Sequence, residues 1–235
     1  MGISKPDCGN CVNSFSNIFH CLNHSGIDSL NEKKEFLSFK KGSYLFKAGE
    51  KADKFFCLQS GLVRTFKSSG VGREQTFLIN SGGDWVGCRD VILSSEYNHS
   101  AICMNEVEAC IINKETLESL MGEAEFQKQL LQQVAKSWQE SENQIYSLGT
   151  KQIHSKLAEF LITFQGIHED KEEMILSVTR EVIASIIGTT TESVIRALSD
   201  FKAREWIDIN KNKIVFKDVK ALKSLSEIDE KRIAY

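Results

Sequence analysis

The sequence predicts an α+β chain: an N-terminal β-roll, then one long helix, then a winged helix-turn-helix. Three observations predict it. Residues 36–117 carry short apolar runs separated by glycines at 42, 49, 61, 70, 72, 82, 83 and 87, the pattern of closely spaced strands in a sandwich or barrel. From about Glu123 the apolar spacing changes to that of a helix. The stretch from Thr179 to Lys202 then reads as two short amphipathic helices about a turn glycine. These changes divide the chain into a cysteine-bearing segment (1–25), a β-roll (26–122), a long helix (123–149) and a winged helix-turn-helix (150–235).

The strand candidates are YLF (44–46), KFFCLQ (54–59), LVRTFK (62–67), EQTFLI (74–79) and EACII (108–112). In the long helix Phe126, Leu130, Val134, Trp138, Ser141, Ile145 and Leu148 recur at spacings of three or four. One such stripe over roughly seven turns suits a coiled-coil-like seam between two copies of the chain; the alternative is a helix packed on its own domain. A second amphipathic helix follows (about 151–165), then an acidic loop (His168–Glu173). After the helix-turn-helix, WIDI (206–209) and KIVF (213–216) face each other across Asn210-Lys211-Asn212 as a hairpin wing.

The helix pair carries the most specific signal. Ala184, before the turn glycine Gly188, is small enough for the helices to cross closely, and Val194 supplies the aliphatic residue that locks the second helix onto the first. Thr189 or Thr190 can cap the second helix, its hydroxyl accepting a free first-turn amide. That helix presents Thr190, Thr191, Glu192, Ile195 and Arg196 near its N-terminal end, where a recognition helix meets base edges. Arginine forks onto the O6 and N7 of guanine, and glutamate accepts from the N4 amine of cytosine. Glu192 and Arg196, four apart, also suit a solvated ion pair.

Composition bounds these readings. A net charge of −3 gives no overall nucleic-acid signature, so the basic face must be local; Arg196, Lys202, Arg204, Lys211, Lys213 and Lys217 provide one. No apolar run approaches membrane-spanning length and the N-terminus is polar, so a cytoplasmic protein is expected. In that reducing setting the seven cysteines predict metal ligands or redox thiols rather than a disulfide framework. Cys8-Gly9-Asn10-Cys11 is a Cys-x-x-Cys pair, followed by Cys21, and Cys110 stands alone in EACIINKETLESL. Cys57, Cys88 and Cys103 lie in or beside apolar strand segments, where buried structural thiols are the default. An enzyme is not expected. The sequence has no phosphate loop, nucleophile elbow or metallohydrolase motif, and the alternative of a thiol oxidoreductase using Cys8 and Cys11 lacks a following βαβ pattern.

A β-roll, a long helix and a winged helix-turn-helix in this order resemble the CRP/FNR family of bacterial transcription regulators, over nearly the whole chain. The family pattern of Glu, a spacer and Arg maps onto Glu192 and Arg196. Where the FNR branch usually has Ser before the Arg, this chain has Ile195, which can contact a thymine methyl but cannot hydrogen-bond a base. The resemblance implies a cyclic-nucleotide-binding-like jelly roll, a homodimer on a palindromic operator, and RNA polymerase as a partner. Cyclic-nucleotide-binding members hold the phosphate with Arg-Ser-Ala. Here His99-Ser100-Ala101 stands instead, and a mostly neutral imidazole cannot replace a bidentate guanidinium, which argues against cyclic AMP.

The FNR branch binds an oxygen-labile [4Fe–4S] cluster through three N-terminal cysteines and one in the β-roll, so the resemblance implies Cys8, Cys11, Cys21 and Cys110 as ligands and oxygen or redox sensing as the function. Thiolates are soft anionic donors suited to iron. The spacing departs from the family. Nine residues separate Cys11 from Cys21, and aligned by the leucines that follow, the usual third position falls at Asn17. The alternatives are a zinc site of Cys8, Cys11, His20 and His24, a haem with Cys or His as axial ligand, or no metal, with regulation by a small organic ligand or by thiol oxidation.

Overall fold

In the computed structural model, the described residues are 5–11, 18–166, 173–175, 178–210 and 213–226. The chain divides into two compact units, residues 1–139 and 140–235. In the first, a short 3₁₀ turn (Ile18–Cys21) precedes α1 (His24–Lys33), whose N-cap Asn23 accepts from Gly26 N. Then come β1 (Glu35–Phe39), β2 (Tyr44–Phe46), β3 (Lys54–Ser60), β4 (Val63–Ser68), β5 (Glu74–Asn80) and β6 (Trp85–Val86). They are followed by α2 (Cys88–Ile92), β7 (Ser100–Cys103), β8 (Val107–Asn113) and α3 (Lys114–Leu120), which Asn113 caps by accepting from Thr116 N at 2.9 Å. The helix α4 (Ala124–Thr150) contributes residues to both units.

The strands form two four-stranded antiparallel sheets, ordered β1-β8-β3-β6 and β2-β7-β4-β5. The turn between β3 and β4 needs Gly61. Its φ is +88°, and a Cβ there would stand 2.3 Å from the Glu106 carbonyl oxygen.

β3 is buried over Phe55, Phe56, Cys57 and Leu58, so both of its faces are covered. Side chains alternate along a strand, which puts Phe55, Cys57 and Gln59 on one face and Phe56 and Leu58 on the other. The first face lies under the N-terminal segment and the start of α4. Phe19 stacks on Trp85 at 4.8 Å and on Phe126 at 6.1 Å, and Trp85 meets Phe55 at 4.9 Å.

That packing corrects the expected dimer seam. Phe126 is fully buried and Leu130 nearly so, both within the core cluster of the β-roll. They anchor the first turns of α4 to their own domain, so these two side chains are taken up within the single chain. The exposed apolar residues of α4 are Leu131, Val134, Trp138, Ile145 and Tyr146. Leu131 leads into Val134, Trp138, Ser141, Ile145 and Leu148 at alternating spacings of three and four, a heptad-like stripe in which Leu131 takes the place expected for Leu130.

In the second unit, α5 (Ile153–Gly166) is followed by β9 (Glu173–Ile175), α6 (Arg180–Ile187), α7 (Thr191–Ala203), β10 (Ile207–Asn210), β11 (Lys213–Phe216) and α8 (Val219–Ser226). Leu157, Ala158, Leu161, Ile183, Val194, Phe201, Ile207, Ile214 and Leu222 are buried in its core. The expected hairpin forms, with Ile207 opposite Phe216 and Asn210 opposite Lys213; Lys211 and Asn212 lie outside the described residues. The expected acidic loop is shorter than read, because Glu173 begins a third strand paired with β11, while 168–172 lie outside the described residues.

Phe126→Ala is expected to destabilise the first unit by about 3–5 kcal/mol, the usual effect of removing a buried aromatic side chain. Urea unfolding followed by intrinsic fluorescence measures it, and a loss under about 1 kcal/mol would contradict the burial assigned to this residue.

Candidate nucleic-acid interface and thiol pocket

The helix pair forms as its sequence predicts. Thr179 caps α6 by accepting from Val182 N, and the helix ends at Gly188, whose left-handed φ of +66° lets its N–H reach the Ala184 carbonyl. Thr189 N donates to the same carbonyl at 3.0 Å. Of the two candidate caps, Thr190 takes the role: its Oγ1 accepts from Ser193 N at 3.3 Å. Ala184 and Val194 are both buried at the helix crossing, with Ile187, Ala197 and Leu198 around them.

Burying those residues turns the opposite side of α7 outward. Glu192, Ile195 and Arg196 are exposed and Thr191 is half-buried. The ion pair between Glu192 and Arg196 does not form; the intrahelical pairs among the described residues are Lys114–Glu118 and Lys128–Glu125. Hydrogen bonds to its own backbone amide and to Thr190 hold the Glu192 carboxyl below its ordinary range, with Arg196 adding to the effect. The glutamate is therefore an ionised acceptor at neutral pH, as reading a cytosine amine requires. The flanking basic residues are partly engaged: Lys202 pairs with Asp208 at 2.8 Å, and Arg204 lies over the Trp206 ring at 5.1 Å.

The cysteines fall into two groups. Cys8, Cys11, Cys57 and Cys110 line one small pocket with Phe19, Gln59 and Trp85, on the covered face of the β1-β8-β3-β6 sheet. The Cys-x-x-Cys turn is built by Asp7, whose Oδ1 accepts from Gly9 N at 2.8 Å and from Asn10 N at 3.0 Å. Asn31 of α1 ties this turn down, accepting from Cys8 N at 3.0 Å and donating to Asp7 Oδ2 at 2.7 Å. Gln59 bridges two of the sulfurs: its Oε1 accepts from Cys11 Sγ at 3.4 Å and its Nε2 approaches Cys110 Sγ at 3.9 Å.

Lys34, which caps the C-terminal end of α1, is only 3% exposed. Its Nζ stands 2.8 Å from Cys8 Sγ and also donates to the Pro6 carbonyl. Burial pushes the Cys8 thiol up, with the Lys34 ammonium opposing that rise. Burial likewise takes Cys110 up to about 11 and Cys57 well above the usual thiol range.

Cys21 is not brought to this pocket. It sits after the 3₁₀ turn, and its Sγ donates to the Ile18 carbonyl at 2.9 Å. Cys88 and Cys103 are buried thiols, as expected. Cys57 is buried as expected, and it also lines the same pocket as three of the predicted ligands. Asn17, where the resemblance put the usual third cysteine, lies outside the described residues. Among the described residues, no three His, Cys, Asp or Glu side chains are placed to hold a single metal ion.

His99, expected to stand in for the arginine of the phosphate-holding triplet, is buried with its Nδ1 3.2 Å from Asp90 Oδ2 and 3.2 Å from Arg89 Nη2. The contact with Asp90 lacks hydrogen-bond alignment, and that buried oxygen has no hydrogen-bond partner among the described residues. Burial lowers the His99 pKa, with Asp90 opposing, so the ring is neutral at neutral pH. Ser100 Oγ accepts from Ala48 N at 3.0 Å.

The cyclic nucleotide-binding domain family matches residues 36–124, and the Crp-like helix-turn-helix domain family matches residues 155–225. A CRP-like cAMP-activated global transcriptional regulator of Mycobacterium tuberculosis is 26% identical over 87% of this chain and 94% of its own length. The fumarate and nitrate reduction regulatory protein of Vibrio cholerae is 27% identical over 86% of this chain and 83% of its own. Among solved structures, FixK2 from Bradyrhizobium japonicum shares the fold with a TM-score of 0.77 at 22% identity, covering 83% of this chain and 98% of that one. A CRP/FNR family regulator from Thermus thermophilus does so with a TM-score of 0.71 at 22% identity, covering 83% and 99%.

Proposed function

Because this chain belongs to the CRP/FNR family and is a DNA-binding transcription regulator, we propose a specific reading: a homodimer that senses oxygen or redox state through an iron–sulfur cluster held at the thiol pocket. One observation carries the sensing half. Cys8 and Cys11, from the N-terminal turn, and Cys110, from β8, are far apart in the chain yet line the same pocket. A bound cluster would supply an oxygen-labile centre. The chain's own residues bind and shield it. Asp7 and Asn31 orient the Cys-x-x-Cys turn, Phe19 and Trp85 wall the site, and Gln59 reaches two of the sulfurs. Each thiol must lose its proton on ligation, so loading releases protons to solvent.

The Mycobacterium tuberculosis relative is cAMP-activated; on our reading this chain is not. A cyclic phosphate would meet a neutral His99 beside the buried Asp90 carboxylate, without a guanidinium clamp. The exposed stripe of Leu131, Val134, Trp138 and Ile145 is covered by the same stripe of a second chain. Two recognition helices then read two half-sites of a palindrome, and RNA polymerase is the further partner this reading implies.

Purification without oxygen tests the sensor directly. A broad brown absorbance, with iron and acid-labile sulfide, is expected; a sharp Soret band would indicate haem instead. A colourless protein that takes up no iron on anaerobic reconstitution would end the sensing reading and leave the DNA-binding function standing.

Arg196→Ala is expected to remove about 1–3 kcal/mol of discrimination at one G·C pair of each half-site, with Glu192→Ala relaxing preference at the same pair. Footprinting on systematically varied operators reads both, and an unchanged preference in Arg196→Ala would exclude its role as a base reader.

Trp138→Glu and Ile145→Glu place charge on residues that are 67% and 71% exposed in the single chain, so the fold should survive while the seam does not. Sedimentation equilibrium is expected to show monomers with weakened operator binding. Intact dimers in both variants would place the interface elsewhere.

A further inference from the structure

We propose that Cys57 is a ligand of the cluster, completing a set of Cys8, Cys11, Cys57 and Cys110, and that Cys21 stands outside it. The inference rests on the cluster reading above and names the ligands it uses. Cys57 of β3 and Cys110 of β8 are direct cross-strand partners in the antiparallel ladder. Directly opposed residues project from the same face of a sheet, with Cβ atoms about 4.5–5.5 Å apart, so one register places two sulfurs side by side. The Cys-x-x-Cys turn brings two more over that face. Cys21, held by its bond to the Ile18 carbonyl, contributes none.

Charge supports the same set. Four thiolates beside apolar walls need a counter-charge. Lys34 supplies one at 2.8 Å from Cys8 Sγ; it is nine-tenths buried and has no carboxylate within ion-pair distance among the described residues. In a [4Fe–4S] cluster each thiolate binds a different iron, so the four sulfurs surround a volume and do not converge on one ion.

The test compares wild type with Cys57→Ser, Cys57→Ala and Cys21→Ser, all purified and reconstituted without oxygen. Iron, sulfide and zinc per chain and visible absorbance are measured, and circular dichroism of the metal-free proteins serves as the folding control. Cys57→Ala keeps the position small and apolar, which guards against simple misfolding. The expected result is loss of most iron, sulfide and visible absorbance in both Cys57 variants, with wild-type content in Cys21→Ser. Full iron and sulfide in either Cys57 variant would overturn the assignment while leaving the cluster reading intact. Loss of the cluster in a folded Cys21→Ser would do the same. A wild-type protein that holds zinc, or no metal at all, would overturn the cluster reading itself.

Discussion

The first unit depends on covering the second face of one sheet. Strands β8 and β3, at the centre of β1-β8-β3-β6, present Phe55, Cys57, Cys110 and Ile112 away from the opposing sheet. Left in water, those side chains would forfeit roughly 1.5–3 kcal/mol for each large apolar group. Most of the cover is made from chain outside the sheet, Phe19 from the N-terminal segment and Phe126 from α4, while Trp85 of β6 lies between Phe19 and Phe55. This explains why β3 reads as a continuous apolar run and not an alternating one, and why the first turns of α4 are spent on the β-roll. It also creates the thiol pocket, since the Cys-x-x-Cys turn lies on the same covered face.

The second unit obeys a different constraint, and a local one. A helix pair this tight needs a small residue at the crossing, a left-handed residue at the turn and an aliphatic lock. Ala184, Gly188 and Val194 supply these within one short stretch. Once they are buried, helical geometry decides which residues of α7 face outward, and in its first two turns these are Glu192, Ile195 and Arg196. Thr190 contributes by capping the helix, so its hydroxyl is engaged with the Ser193 amide and serves the fold before any base.

The legibility of each feature in the sequence follows from the range of the interactions behind it. The helix-turn-helix was readable because its determinants are neighbours in the chain. The strands at 44–46 and 74–80 were readable from apolar runs between turns, whereas β1, β6 and β7 are short or amphipathic and take shape through pairing. Phe126 and Leu130 share the helical spacing of the exposed stripe, and spacing alone cannot tell which residue of a stripe meets its own domain. Alternating steps of three and four, counted back from Val134, reach Leu131 and were the available signal. Cys57 was hidden for the same reason: its pairing with Cys110 is set by a ladder register between strands some fifty residues apart, which no local pattern encodes. Lys34 follows another lysine in the chain, and no local pattern marks it as the buried one beside Cys8.

The cover also gives the proposed sensor a physical route to the rest of the molecule. Phe19 walls the thiol pocket and stacks on Phe126 in the first turn of α4, and Leu131, where the exposed stripe begins, follows five residues later. On the proposed reading, a change at the pocket alters the packing of Phe19, and Phe126 cannot keep its place if that packing is lost. Close-packed aromatic layers do not deform smoothly; they hold one arrangement or exchange it for another. The coupling therefore asks nothing of the β-roll sheets themselves. It requires that the N-terminal cover have two states of differing fit against Phe126, and that the seam along α4 be matched to one of them. A cover built from a short segment outside the strands suits that requirement, because its fit can change without any ladder pairing of the sheet being broken.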